Sequence, residues 1–419
     1  MLRPRLIVQK LNGGLGRRNP STEMVTGSVM NAIATSEMVL GNIYTLKNIQ
    51  EVETLGITAE YDTTNKVLVY ERLRRFFIHN PSITVHFMPV AQGVTLTQMV
   101  DKDNNYLARL LREKAGEIVQ ACVSLNPDED YTPTIETGLD KDSIDAIYKA
   151  QALADSEWVK DRYSELYIEG RSFSGTSAAA LNLRMLLSEC PDVSVVIGAD
   201  YQVSSRDDLY KGYAAVEDYT AMVSKSDVSQ NAGEQINDFN LTNVSEEIFI
   251  IPGLSSGNKL SDYSDTDLDT LDEKGYIYFA PIVNLGGISS TAGIYINDTH
   301  TCAKITSDFA YGENNRSIKK AIKLAKAALT PKVKGRLYVD ENTGFMAPET
   351  VKDLETTTKV SLDPMVANSD ISGGVDAYIN PEQNVLATSE FIVLLTFIPV
   401  AIGRRITLKV GFTNPLNTQ

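Results

Sequence analysis

Apolar positions recur with two periods along this chain, and the period switches from segment to segment. Val69, Leu73 and Phe76 or Phe77 stand at helical spacing, which predicts a helix over 65–78; 46–55 has the same character. Ile83, Val85 and Phe87 alternate with their neighbours, which predicts a strand over 83–90. Strands are also predicted over 117–125, 193–197, 276–280, 292–296 and 335–339, and a strand or strand pair over 25–34 (VTGSVMNAIA). Helices are predicted over 96–111, 143–154, 178–190, 206–219, 315–329 and 347–354, with Pro191 and Pro331 closing two of them. The opening segment 3–9 can be extended, since Pro4 is a poor helix start. The stretch 253–275 is rich in Ser, Asp and Gly and reads as an exposed loop with a short helix. Near the end, 389–402 is a long apolar strand candidate, followed by a turn at Gly403. Ile406, Leu408, Val410 and Phe412 then alternate with Thr407, Lys409 and Gly411, a half-buried strand by period. This interleaving predicts an α/β fold of mixed α+β character, with a mixed sheet and helices on its faces.

Composition narrows the function classes. At 419 residues, two or three domains are expected, and 43% hydrophobic with 22% charged residues is an ordinary globular balance. The net charge of −15 disfavours binding of nucleic acid by the whole surface. No run is apolar enough for membrane insertion, and MLRPRLIVQK lacks the features of a secretion signal. Cys122, Cys190 and Cys302 are far apart and odd in number, and read as buried free thiols in a reducing compartment. The histidines are His79, His86 and His300, too few to favour His-based catalysis or a zinc site.

Three segments invite an enzyme reading. LNGGLG at 11–16 is a Gly-rich loop of the kind that brings backbone N–H groups to phosphates, and it resembles the opening motif of nucleotide-sugar pyrophosphorylases. Arg17, Arg18, Asn19 and Pro20 follow in place of that family's lysine segment, and Asp200 would have to serve as the magnesium ligand. DTDLD, with Asp265, Asp267 and Asp269, has Thr270 and Tyr276 where a calcium loop needs Gly and Glu. RSFSGTS at 171–177 is not a nucleophile elbow and has no neighbouring His; Thr176 or Ser177 serves as a helix cap.

Charge is distributed unevenly. From 314 to 339 the charged residues are all basic and total +8, so the rest of the chain carries −23. On a helix, Lys319, Lys323 and Lys326 fall within about 60° of one another, with Lys320 beside them. Ile318, Ala321, Ile322, Ala325, Ala328 and Leu329 occupy the opposing arc. The expectation is a basic stripe for an acidic partner surface. At the chain ends, the extended segment around Leu6, Ile7 and Val8 and the alternating Ile406–Phe412 stretch can each add a strand to another molecule's sheet.

Several segments together resemble contractile phage tail sheath proteins, in particular the sheath-like family once described only as a domain of unknown function. They are LNGGLGR followed by VTGSVMNAIA, LKNIQEVETLGI at 46–57, the block 293–329, and IGRRITLKVGF near the end. The resemblance implies a structural subunit, not an enzyme, with no cofactor and no metal. It implies a sheath core at 17–125 and 276–403, a middle α/β region at 126–275 that includes a smaller outer insertion, and arms at 1–16 and 404–419. It further implies six-subunit rings stacked as a helical array around an inner tail tube, contacts with baseplate and tail terminator proteins, and a place in a virion tail assembled in the host bacterial cytoplasm. The basic stripe would face the tube.

Overall fold

The computed structural model describes residues 22–283 and 291–412. The chain forms two compact units, the first ending at Lys320 and the second beginning at Ala321. The first unit opens with β1 (Val25–Asn31), β2 (Tyr44–Leu46), α1 (Ile49–Thr54), α2 (Ala59–Asn65), α3 (Val69–His79) and β3 (Thr84–Val90). It continues with α4 (Leu96–Val100), α5 (Leu107–Glu113), β4 (Gln120–Ser124), β5 (Ile135–Glu136), β6 (Leu139–Asp140), α6 (Lys141–Trp158), β7 (Glu165–Glu169) and β8 (Val193–Val196). Then come β9 (Gly198–Asp200), α7 (Tyr201–Ser204), α8 (Val216–Lys225), β10 (Pro252–Leu254), α9 (Asp265–Glu273), β11 (Phe279–Ile282) and β12 (Gly293–Ile296).

Six strands make the main sheet in the order β2-β3-β1-β4-β7-β8, parallel except for β2 at one edge. The middle region, 126–275, thus supplies two of its strands, β7 and β8. Successive residues face opposite cores: Val29 and Met30, Phe87 and Met88, Leu166 and Tyr167 fall in different apolar clusters. Burial of both faces explains why these strands read as apolar runs. One face carries α3 and α8; the other carries α4, α5 and α6. Gly27 lets β1 and α5 approach, since a Cβ there would stand 3.1 Å from that of Ala121 and 3.3 Å from Leu110.

The α3 face is charged as well as apolar. Arg72 and Arg75, one helical turn apart, are both fully buried. Arg72 reaches Glu169 at 2.5 Å and Glu217 at 2.7 Å, and its guanidinium lies over the Tyr213 ring. Arg75 meets Glu71 at 2.9 Å, Asp200 at 2.8 Å and Asp218 at 3.2 Å, and lies over Phe249. His79 completes this row, its Nε2 2.7 Å from Asp218. The carboxylates also take backbone donors: Glu169 accepts from Leu125 and Ala214, and Asp200 from Phe249 and Gln202. One helix is thereby tied to the ends of β7 and β9, to α8 and to two loops.

The second unit contains the last turns of α10 (Gly312–Leu329), then α11 (Pro348–Val360), α12 (Asp363–Ala367), β13 (Gly373–Tyr378), α13 (Val385–Thr388) and β14 (Leu394–Ile398). Ala321 and Ala325 of α10 pack with Leu362, Met365 and Ile371, and α11 packs on β13. β13 and β14 form an antiparallel pair.

Several expected elements differ. The segment 178–190 is not a helix; it has one short turn at Leu183–Met185. Its backbone is claimed elsewhere: Leu181 and Leu183 donate to Thr137 and Lys274, and the Lys274 ammonium takes the carbonyls of Ser177, Ala178 and Ala180. The helix expected at 206–219 starts only at Val216, because Ala214 and Ala215 donate to Glu169 and Gly198. The helix expected at 96–111 is two, α4 and α5. No strand forms over 335–339; Val339 makes one bridge, to Met346. The stretch 253–275 is less exposed than expected, with Leu254, Leu260 and Leu271 in the core.

Replacing Arg75 with Met should cost about 3–5 kcal/mol in urea unfolding, since three buried carboxylates lose their shared cation. A loss below about 1 kcal/mol would show that these charges do not organise the fold.

Candidate assembly surfaces

The basic helix is α10, and the structure does not present its lysines as one stripe. Lys319 is 6% exposed. Its ammonium meets Glu165 at 2.6 Å, Asp192, and the Ser164 carbonyl at 3.0 Å. Burial works against that charge, but Asp192 and Glu165 more than offset it and hold the Lys319 pKa above its ordinary value. Two carboxylates share this one cation, and burial pushes Glu165 up to about 7. Lys320 pairs with Glu23 at 2.7 Å. Arg316 is buried too, bound to Ser226 and the Asp227 carbonyl. The N-terminal half of α10 therefore fastens itself inside the first unit, where a helical-wheel reading placed solvent. Lys323 is half-buried and Lys326 exposed. The wheel counts charges but cannot see that Glu165 and Asp192, distant in sequence, converge on one face.

The chain end is a different kind of surface. β13 and β14 make a two-stranded sheet, and among the described residues neither pairs with a further strand. Along β14 the side chains alternate: Leu395 and Phe397 pack against the second unit's core, while Leu394 and Ile398 point outward, each 58% exposed. Ile392 just before it and Tyr378 on β13 extend this outward apolar face. The half-buried strand expected after Gly403 is not present within the chain: 401–412 have no helix or strand. Ile406, Leu408, Val410 and Phe412 are 83–109% exposed. An alternating apolar segment left in water beside an open two-stranded sheet is unusual for a monomer. Leu6, Ile7, Val8 and the LNGGLG loop lie outside the described residues.

Of the crevices at the strand ends, where open α/β sheets bind ligands, the one beyond β1 is filled. Beyond β1, where strand order reverses, the Asn31 amide donates to the carbonyls of Ala91 and Val94 and accepts from Asn126, whose side chain donates back to the Asn31 carbonyl. Asp200, the residue an enzyme would need for magnesium, is fully buried and committed to Arg75 and Phe249. Among the described residues no group of His, Cys, Asp and Glu is placed to hold a metal ion, and no helix is long and apolar enough to cross a membrane.

Lys319→Met should lower stability by about 3 kcal/mol at pH 8. The loss should shrink toward pH 5, because Glu165 then takes up a proton more readily in the fold than when unfolded. Lys326→Ala should change stability by less than about 0.5 kcal/mol. Equal effects in chemical denaturation would contradict the separate roles given to these lysines.

Comparison with known families places the whole chain. The family described as DUF2586, N-terminal domain, matches residues 4–300, and DUF2586, C-terminal domain, matches residues 308–417. A search of curated proteins finds no match. Among solved structures the chain is similar to the helical sheath of the anti-feeding prophage in its contracted state, at 14% identity and a TM-score of 0.59, covering 98% of this chain and 99% of that one. It is similar to a chain of the six-fold symmetrised baseplate of the same particle, at 13% identity and 0.58, covering 99% and 100%. It is also similar to the PVC sheath complex of an extracellular contractile injection system in its contracted state, at 12% identity and 0.57, covering 100% and 99%. At these identities the likeness is one of fold. The chain belongs to the DUF2586 family and has the fold of a contractile sheath protein.

Proposed function

We propose that this protein is the structural subunit of a contractile sheath, polymerising around an inner tube and driving that tube through a target envelope on contraction. The observation that carries the reading is the exposed, alternating 404–412 segment beside an open two-stranded sheet, in a chain whose fold is sheath-like from end to end. Such a segment gains from leaving its own subunit. Set against a neighbour's sheet, Ile406, Leu408, Val410 and Phe412 each bury apolar surface, worth about 1.5–3 kcal/mol per side chain. Backbone hydrogen bonds to the open edge fix its register.

A donated strand is a heterologous contact, so it closes into rings or continues as a helix. Six-subunit rings stacked around a tail tube are the arrangement this favours, with baseplate and terminator proteins at the ends. Linked arms let subunits turn and slide without parting, and the energy of contraction lies in surfaces that bury more area in the shortened state. Contact with the tube falls to the exposed part of the basic segment around Lys326, since Lys319 is spent inside the subunit. No catalytic step is assigned: the crevice beyond β1 is occupied by Asn31 and Asn126, and Asp200 is committed to Arg75 and Phe249. The site of action is a phage tail or an injection particle released from the cell that assembled it.

Purified full-length protein should form tubes or stacked rings in negative-stain electron microscopy. Deleting 404–419, or changing Leu408 and Val410 together to Asp, should leave the circular dichroism spectrum and melting unchanged but give discrete monomers. Lys409→Ala, on the opposite face of the segment, should still polymerise. A truncated chain that polymerises normally, or fails to fold, would refute strand donation by this arm.

A further inference from the structure

Two of the three cysteines stand opposite each other. Cys190 and Cys302 are directly opposed in an isolated antiparallel bridge, with the Cys190 N–H donating to the Cys302 carbonyl at 2.9 Å. The Cys302 N–H in turn donates to Val193 at 2.8 Å, so both backbones are held. Residues opposed in an antiparallel pair have Cα atoms about 4.5–5.5 Å apart and project their Cβ atoms from the same face. That is inside the Cα separation of about 4.4–6.8 Å a disulfide needs. Both thiols are free and buried. Cys122 is also buried but sits within β4, its Sγ turned to the Gly27 carbonyl.

We propose that Cys190 and Cys302 form a redox staple, closing to a disulfide when the particle meets an oxidising medium. The co-reactant is a low-molecular-weight disulfide. The thiolate of Cys190 attacks one of its sulfurs, forming a mixed disulfide and releasing one small thiol. The thiolate of Cys302 then displaces the second small thiol and completes the Cys190–Cys302 bond. Two protein thiols lose two protons and two electrons, and the small disulfide becomes two thiols.

Access comes from the Cys190 side. Leu187, Ser188 and Glu189 just before it are exposed, as are Lys304 and Ile305 just after Cys302, and Glu189 pairs with Lys304 across the two segments. Burial, reinforced by Asp155 and Asp192, pushes the Cys190 thiol up to about 12, so the attacking thiolate is scarce and closure is slow. The bond would join segments far apart in sequence, which is where a cross-link restricts the unfolded chain most. It lies within the first unit and does not depend on the sheath reading.

The test is incubation of the full-length protein with oxidised glutathione, followed by alkylation in denaturant and peptide mapping without reductant. The expected result is one Cys190–Cys302 link, Cys122 still alkylatable, and a melting temperature raised by about 5 °C that reverts with reductant. Cys190→Ser and Cys302→Ala should each abolish the link and the shift, while Cys122→Ala keeps both. Three alkylatable thiols after prolonged oxidation, a glutathione adduct on one cysteine alone, or links through Cys122 or between chains would overturn the proposal.

Discussion

Arg72 and Arg75 carry charge where water does not reach, and much of the first unit is arranged to neutralise them. Desolvating a guanidinium is expensive, and opposed carboxylates with satisfied hydrogen bonds are what make it tolerable. Glu169 must therefore stand at the end of β7, Asp200 at the end of β9, and Glu217 and Asp218 side by side on α8. Glu169 and Asp200 also take backbone donors from Leu125, Ala214, Phe249 and Gln202, so helix, sheet and loops are fixed relative to one another.

The elements that could be read along the chain are those whose burial is local and periodic. β1, β3, β4, β8 and the helices α3, α6 and α10 emerged because both faces of a parallel sheet and one face of a long helix impose a clear period. Segments 178–190 and 206–219 failed because their backbone groups bond to Thr137, Lys274, Gly198 and Glu169, partners that no local window contains. The buried ion pairs were illegible for the same reason: ERLRR at 71–75 shows arginines on a helix beside Glu71, but not the distant Glu169, Asp200, Glu217 and Asp218 that meet Arg72 and Arg75.

The two expected surfaces diverge instructively. Charge alone suggested a docking stripe on α10, yet Lys319 is an internal tie, because a lysine beside two converging carboxylates is worth more buried than displayed. The alternation from Ile406 to Phe412 predicted a half-buried strand, and the structure forms none there, leaving those side chains exposed among the described residues. We propose that this pattern, unmatched among the described residues, is what lets a sheath-like fold polymerise.

That proposal is tested most directly by a cryo-electron microscopy reconstruction of the assembled protein, reading where residues 404–412 lie. The account predicts a strand hydrogen-bonded to the β13–β14 sheet of an adjacent subunit, with Ile406, Leu408, Val410 and Phe412 on its buried face. Density showing that segment folded back on its own hairpin, or loose in solvent within an intact polymer, would contradict it.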